Sequence, residues 1–128
     1  MAIIYFAKFT HFTFFWKTQI FYCPQMEGLT VAAEICEDLW VPQPPSITHA
    51  IAGANVIVNL SASDEITGKD SYRRNLVGGQ SARLVCGYIY ADAGEGESST
   101  DLVFAAHNLI AENGTILAQS KRFENEIV

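Results

Sequence analysis

Short apolar runs that end at polar turn residues alternate with helical stretches in the middle of the chain, and this order constrains the fold more than any other feature. The apolar runs lie just before Cys36, over residues 54–60 and over residues 85–91, and such runs are typical of buried strands. Residues 47–54, which follow a pair of prolines, and residues 72–84 are predicted to be helices. This alternation of strands and helices predicts a layered α/β sheet.

The C-terminal part of the chain carries a hairpin signal. Residues 102–110 and 115–120 flank the dipeptide Asn113-Gly114. An Asn-Gly pair between two strand-like runs is typical of a two-residue hairpin turn. We therefore expect both segments to be strands that pair with each other in antiparallel orientation.

The first apolar run delivers Cys36 into a turn that is rich in carboxylates, because Glu34, Glu37 and Asp38 lie within two residues of it. A thiol at the end of a buried strand sits on a rigid element beside a pocket, which suits a covalent nucleophile. Most free cysteines, in contrast, are small buried hydrophobic residues. Since neighbouring carboxylates raise the pKa of a thiol, a nucleophilic Cys36 needs a lysine or arginine from elsewhere in the chain.

Two long motifs point to a known family. They are ICEDLWVPQPPS, over residues 35–46, and GEGESSTDLVF, over residues 94–104. Over residues 18–123 the chain resembles the amidase domain of glutamine-dependent NAD synthetases, a branch of the nitrilase (carbon–nitrogen hydrolase) superfamily. The resemblance implies an α/β fold, the nitrilase-like αββα sandwich, whose two sheets pack face to face, and a homo-oligomer. It divides the chain into an unmatched aromatic-rich segment, residues 1–17, and a partial hydrolase domain, residues 18–128.

The resemblance also implies roles for four residues. In that family the cysteine of ICEDLW attacks the side-chain amide of glutamine, so Cys36 would be the nucleophile, and the ammonia passes to a separate synthetase domain. Ser63 and Lys69 occupy positions that contact the glutamine, and Glu37 lines its pocket. These residue types fit an amino acid, whose carboxylate prefers a cation and a hydroxyl and whose ammonium prefers a carboxylate. Taken singly, Lys69 also fits a solvated turn, and Ser63 fits a helix cap.

The family places its cofactors and two of its catalytic groups elsewhere. No cofactor is expected in this domain, since ATP and Mg²⁺ belong to the synthetase domain. A glutamate base and an oxyanion-stabilising lysine lie well upstream of the family's cysteine, and residues 1–17 match neither of them. Lys8 and Lys17 are too close to Cys36 for that spacing. Glu27 fits a solvated turn. We therefore expect the chain to be a fragment that has no glutaminase activity alone.

Two other classes of function stay open at this point. A stand-alone aliphatic amidase or nitrilase would also place a cysteine after a strand, although the LWVPQPPS and GEGESSTD motifs are not expected in such an enzyme. The unmatched upstream groups also leave open a fragment that has no catalytic role and only binds a partner. A glutaminase assay with and without a synthetase domain separates the three classes.

Composition indicates which kinds of partner and which cellular compartment to expect. A net charge of −6 argues against a nucleic-acid partner, which requires a basic face. We expect Lys69, Arg73 and Arg74 to form one helix face near an anionic group or a partner instead. Three cysteines without metal-ligand spacing favour free thiols in a reducing, cytoplasmic setting, with Cys86 in the core. Scattered histidines suggest no metal site. Charged residues interrupt the N-terminal apolar run before the roughly 20 residues that a membrane span needs.

Overall fold

The computed structural model describes residues 19–97, 101–124 and 128, together with the backbone of residues 3–6. The remainder of segment 1–17 and residues 98–100 of the GEGESSTDLVF motif lie outside the described residues. In chain order the elements are β1 (Ile3–Phe6), β2 (Gln19–Tyr22), β3 (Thr30–Ile35), a 3-10 helix (Cys36–Leu39), α1 (Pro45–Ile51), β4 (Val56–Ser61), α2 (Lys69–Leu84), β5 (Gly87–Asp92), β6 (Leu109–Glu112) and β7 (Thr115–Gln119).

These seven strands join in one sheet, and their order across the sheet follows their order in the chain. β3, β4 and β5 are parallel, β1 is parallel to β2, and the other neighbours are antiparallel. α1 and α2 connect the three central parallel strands. Both helices contact the sheet and each other, so they lie on one face of it. The predicted alternation of strand and helix is therefore confirmed.

Both helices begin earlier than predicted. α1 begins at Pro45, because proline is compatible with the first helical turn, and it ends at Ile51. Gly53, with φ of 101°, turns the chain in the left-handed conformation soon after the last helical residue. α2 begins at Lys69 instead of residue 72. The earlier start matters because it puts Lys69, one of the expected glutamine contacts, on a regular element.

The hydrophobic core lies between the helices and the sheet face that they cover. On β4, Ile57 and Asn59 point into this core and are fully buried. Cys86 is buried with them, as predicted. The core consists of Ile20, Ala32, Leu39, Ala54, Ile57, Val77, Cys86, Tyr88, Tyr90, Leu109 and Ala111. Asn59 is polar and fully buried on β4, and its partners are part of the candidate site.

The opposite face of the sheet is apolar and exposed. Ile35 and Leu60 pair across β3 and β4 and are 50% and 57% exposed, and Ile89 on β5 is 38% exposed. A patch of this kind usually marks a surface that another part of the molecule or a partner covers. The described residues supply one sheet and one helical layer of the expected αββα sandwich, and they do not include a second sheet.

The predicted strand over residues 102–110 is wrong for most of its length. Only Leu109 and Ile110 of that segment belong to β6. Ala106 has φ of 50°, which interrupts an extended chain, and the Asn108 side chain accepts the Asp92 N–H at 2.9 Å in place of a backbone carbonyl. The segment is an apolar loop of mixed exposure, since Ala105 and Ala106 are buried whereas Leu102 and Val103 are exposed.

The predicted Asn-Gly hairpin turn is confirmed. Asn113 and Gly114 have φ of 47° and 88° and connect the antiparallel strands β6 and β7. Two successive left-handed residues are what a type I′ turn requires, and asparagine and glycine tolerate that conformation best. The short strands β1 and β2, in contrast, were not predicted.

Arg73 anchors α2 to the rest of the fold through a buried ionic cluster. Its side chain is fully buried, with Nη2 at 2.9 Å from Glu65 Oε2 and 3.8 Å from Asp92 Oδ2. Nη1 lies 3.0 Å from Nδ1 of His107, which acts as the acceptor because a guanidinium only donates. Burial, followed by the charge of Arg73, lowers the pKa of His107. The anionic group expected near this helix face is therefore supplied by the chain's own carboxylates.

Replacement of Arg73 should destabilise the fold strongly. Arg73→Met would leave the Glu65 and Asp92 carboxylates without their buried cation, and loss of one partner of a buried pair costs about 3–5 kcal/mol. Urea unfolding followed by circular dichroism measures this loss. Arg74→Met, at the adjacent half-buried position, is the control and should change the free energy of unfolding by less than about 1 kcal/mol. Equal effects of the two substitutions would contradict the role assigned to Arg73.

Candidate active site

A cavity of about 350 Å³ opens at the carboxyl ends of β3 and β4. It is lined by Cys36, Glu37, Trp40, Val41, Ala62, Ser63, Asp64 and Lys69. All four residues that the sequence pointed to are therefore in one cavity. The reason is the parallel pairing of β3 with β4, which brings the residues that follow each strand to the same edge of the sheet.

Cys36 occupies a sharp turn directly after β3. Its φ is 46°, which is in the left-handed region. This conformation costs free energy for any residue that has a β-carbon, and it persists only where the surroundings impose it. The 3-10 helix starts at this residue, and Asp38 Oδ2 accepts the Ile35 N–H at 3.0 Å just before the turn. Cys36 is partly exposed, so its thiol combines a fixed backbone with access to the cavity.

A side chain from the next strand holds this turn. Asn59 Oδ1 accepts the Cys36 N–H at 3.1 Å, and Asn59 Nδ2 lies 3.3 Å from the Cys36 carbonyl and 3.3 Å from the Tyr88 hydroxyl. Tyr88 donates to Glu34, whose other oxygen accepts the Ser46 N–H at 2.9 Å at the start of α1. The turn is thus tied to β4, β5 and α1 through buried groups.

This network was not predicted from the sequence. Its one visible signal was Asn59 within the apolar run VIVNLS, because a polar side chain in a buried strand needs a partner. Burial, with the charge of Glu34 as the next cause, raises the pKa of Tyr88 far above its ordinary value, so its hydroxyl keeps its proton and remains a donor. Glu34, which the sequence marked only as a neighbour of Cys36, therefore accepts hydrogen bonds in the interior of the fold.

Ser63 and Lys69 have defined surroundings in the cavity. Ser63 is buried, and its N–H donates to Asp92 Oδ1 at 3.0 Å. It does not cap α2, whose N-cap residue is Gly68. Lys69 is the first residue of α2, and its Nζ lies 2.6 Å from Asp64 Oδ1 and 5.6 Å from the centroid of the Trp40 ring. Lys69 is therefore not a solvated turn residue, and Ser63 is not a helix cap.

The pocket carries more negative than positive charge. Glu37 and Asp64 contribute two carboxylates, and Lys69 contributes one cation. The hydrogen bond and charge of Lys69 hold the pKa of Asp64 below its ordinary value. The cation that Cys36 was expected to need thus lines the same cavity, although in this structure it is paired with Asp64. Asp64 itself was not singled out from the sequence.

Cys36 also lines a second cavity, which has a volume of about 450 Å³. Ile35 and Leu60 form part of its wall, so it opens toward the exposed apolar face of the sheet. The other two cysteines are placed differently. Cys86 is in the core, where burial raises its pKa to about 11, and Cys23 is in the loop between β2 and β3.

Within the described part of the chain, no cluster of three or more His, Cys, Asp or Glu side chains is arranged to hold a metal ion. The search of the same residues for a helix long and apolar enough to cross a membrane also found none. Glu27 is exposed in the turn between β2 and β3, as expected of a solvated turn residue.

The fold is that of a nitrilase-like α/β layer, and Cys36 follows one of its central strands, β3. An amidase of the nitrilase superfamily from Nesterenkonia matches 75% of this chain, and 35% of its own, with a TM-score of 0.64 at 18% identity. A glutamine-dependent NAD(+) synthetase from Cytophaga hutchinsonii matches 76% of this chain, and 15% of its own, with a TM-score of 0.64 at 31% identity. The predicted fold class is therefore confirmed.

Sequence comparison gives the particular relatives. Over 104 residues, 81% of this chain, the sequence is 47% identical to the glutamine-dependent NAD(+) synthetase of Mycobacterium tuberculosis. The chain spans 15% of the length of that relative. No protein-family model matches the sequence. The resemblance is therefore confirmed: this chain is a homologue of a segment of the glutamine-dependent NAD(+) synthetases.

The contact between Asn59 and Cys36 predicts a measurable cost. Asn59→Ala would leave the Cys36 N–H and carbonyl at the turn without their side-chain partner, and loss of such a partner costs about 1–3 kcal/mol. Urea unfolding measures it. The control is Ser61→Ala, which removes a hydroxyl that donates to the same Asn59 oxygen at 2.8 Å. A larger loss from Ser61→Ala than from Asn59→Ala would refute the anchoring role.

Proposed function

We propose that this chain is part of the glutamine amidase of a glutamine-dependent NAD(+) synthetase. The observation that carries the proposal is the single cavity that Cys36, Glu37, Ser63 and Lys69 line together. The names of the homologues support the same reading, and 47% identity favours this branch over a stand-alone amidase or nitrilase. The complete enzyme would make NAD from deamido-NAD, ATP and glutamine, with ATP and Mg²⁺ bound by its synthetase domain.

The proposed reaction is hydrolysis of the side-chain amide of glutamine. The Cys36 thiolate adds to the amide carbon, and the tetrahedral intermediate collapses when the amide nitrogen gains a proton and leaves as ammonia. Water then hydrolyses the thioester, which releases glutamate and restores the thiol. The ammonia passes to the synthetase domain. The base and the oxyanion donor that such a reaction needs have no assignment in this chain.

The charges in the cavity suit the two charged groups of glutamine. Lys69 and Ser63 offer a cation and a hydroxyl for the α-carboxylate, and Glu37 offers a carboxylate for the α-ammonium. Trp40 adds an apolar wall along which the methylene groups of the substrate fit. This arrangement supports an amino-acid amide over an uncharged aliphatic amide. The exposed sheet face supports the expectation of a further layer or a homo-oligomer.

The role of Cys36 as the nucleophile can be tested by comparing glutamine with ammonia as the nitrogen source. In the protein made from its complete reading frame, Cys36→Ala should abolish NAD formation from glutamine and leave formation from ammonia intact, since only the amidase step uses the thiol. NAD is measured by an enzymatic cycling assay. Cys23→Ala is the control and should retain both activities. Loss of both activities in Cys36→Ala would mean that the cysteine is structural.

The substrate contact is tested at Lys69. Lys69→Ala should raise the KM for glutamine more than it lowers kcat, because a contact with the carboxylate is present in the ground state and the transition state alike. Loss of one charge-assisted hydrogen bond costs about 1.5–3 kcal/mol, roughly a 10- to 150-fold rise in KM. Steady-state kinetics with glutamine measure it. Lys69→Arg keeps the charge and should stay closer to wild type. An unchanged KM in Lys69→Ala would contradict the contact.

A further inference from the structure

We propose that Asp64 is a specificity residue that exchanges partners when the substrate binds. In this structure Asp64 pairs with Lys69, and we infer that the α-carboxylate of the substrate takes Lys69 while Asp64 turns to the α-ammonium. This inference rests on the proposed function, and it adds a residue and a selection rule that the resemblance did not supply. The rule is that the site selects amides that carry both charges of an α-amino acid.

The geometry of the pair carries the inference. Asp64 Oδ1 and Lys69 Nζ are 2.6 Å apart, and both residues line the cavity that contains Cys36. The Asp64 side chain is 43% exposed and the Lys69 side chain 17% exposed. Solvent reaches the Asp64 side of the pair and screens its attraction to Lys69, so an incoming carboxylate can compete for the cation. Asp64 thus already occupies the position that the substrate carboxylate requires.

The backbone around the pair is fixed, so the exchange requires only side-chain rotation. Asp64 forms a β-bridge with Phe104, and the next residue, Glu65, donates its N–H to the Val103 carbonyl at 2.7 Å. Lys69 is held as the first residue of α2. Since neither backbone has to move, a freed Asp64 carboxylate remains at the wall of the same cavity, within a side-chain rotation of the position it now occupies.

The charge count explains why two carboxylates line the site. A zwitterionic substrate brings one positive and one negative group, which gives two cations and three carboxylates in total with Glu37, Asp64 and Lys69. Each cation then has a carboxylate beside it: the substrate carboxylate with Lys69, and Asp64 and Glu37 with the ammonium. A substrate that lacks the ammonium would bring a carboxylate to Lys69 while nothing replaces the cation that Asp64 loses.

The experiment compares glutamine with glutaramate, which is glutamine without its α-amino group. Asp64→Asn in the protein made from its complete reading frame should lower kcat/KM for glutamine about 10-fold, because the ammonium loses a charged partner. It should raise kcat/KM for glutaramate, because the substrate carboxylate no longer competes with Asp64 for Lys69. The preference for glutamine, as the ratio of the two values, should therefore fall more than about 10-fold.

Two further variants complete the test. Asp64→Glu keeps the charge and should retain most of the preference. Asp70→Asn is the control, because Asp70 follows Lys69 directly but does not line the cavity, and its carboxylate lies 3.9 Å from Arg122. This variant should leave the preference for glutamine over glutaramate within about threefold of wild type. If Asp64→Asn lowered kcat/KM for both substrates equally, Asp64 would have a structural role. If it raised kcat/KM for both equally, Asp64 would only compete with the substrate carboxylate for Lys69. Either outcome overturns the exchange.

The outcome also separates the two proposals. If wild-type protein does not hydrolyse glutamine and a glutamine-like chloroketone does not label Cys36, the proposed function fails, and the inference about Asp64 fails with it. If wild type hydrolyses glutamine but Asp64→Asn leaves the preference unchanged, only the inference about Asp64 fails. Mass spectrometry of the labelled protein identifies the modified cysteine.

Discussion

The pair of contacts between Asn59 and the backbone of Cys36 is the interaction on which the rest of the site depends. A strand that continued straight past Ile35 would carry Cys36 away from the cavity, whereas the left-handed turn keeps it at the strand edge. The amide side chain is well suited to hold such a turn because one end accepts an N–H and the other donates to a carbonyl. Parallel pairing of β3 and β4 puts Asn59 in reach.

Two charged residues of α2 have different surroundings. Lys69 and Arg73 are one helical turn apart and would be neighbours on one helix face. Arg73 is buried against Glu65 and Asp92, and Asp92 also accepts the Ser63 N–H, so the ionic cluster fixes one wall of the cavity. Lys69, at the start of the helix, keeps access to the cavity. The buried cluster thus fixes the wall of the cavity beside which Lys69 lies.

The sequence predicted the central elements because they rest on local pattern. The run before Cys36, the strand that contains Asn59 and the Asn113-Gly114 turn all follow from apolar spacing or from backbone preference. Residues 102–108 were misassigned because a partly buried apolar loop has the same composition as a strand. The left-handed Ala106 that separates the two cases leaves no mark in composition. β1 and β2, with four residues each, are too short to give a clear pattern.

The candidate site was predictable to the extent that strand order brings strand ends together. Cys36, Glu37, Ser63 and Lys69 were predicted from the family resemblance, and the parallel pairing of β3 with β4 brings them together. Asp64 and Asn59 depend instead on distances between side chains. The Asp64 pair spans five residues across a loop and a helix start, and the Asn59 contact spans 23 residues between two strands. No periodicity connects such positions, so only the folded chain reveals them.

Cys36 lines two cavities of different character. The first cavity carries the charges of Glu37, Asp64 and Lys69, which match the two charged groups of an amino acid. The second opens on the apolar face that exposes Ile35 and Leu60. Under the proposed function the substrate occupies the first cavity. The second cavity, which Cys36 also lines, then remains open to a group that takes up the thiol proton, on the same sheet face that a further layer of the fold would cover.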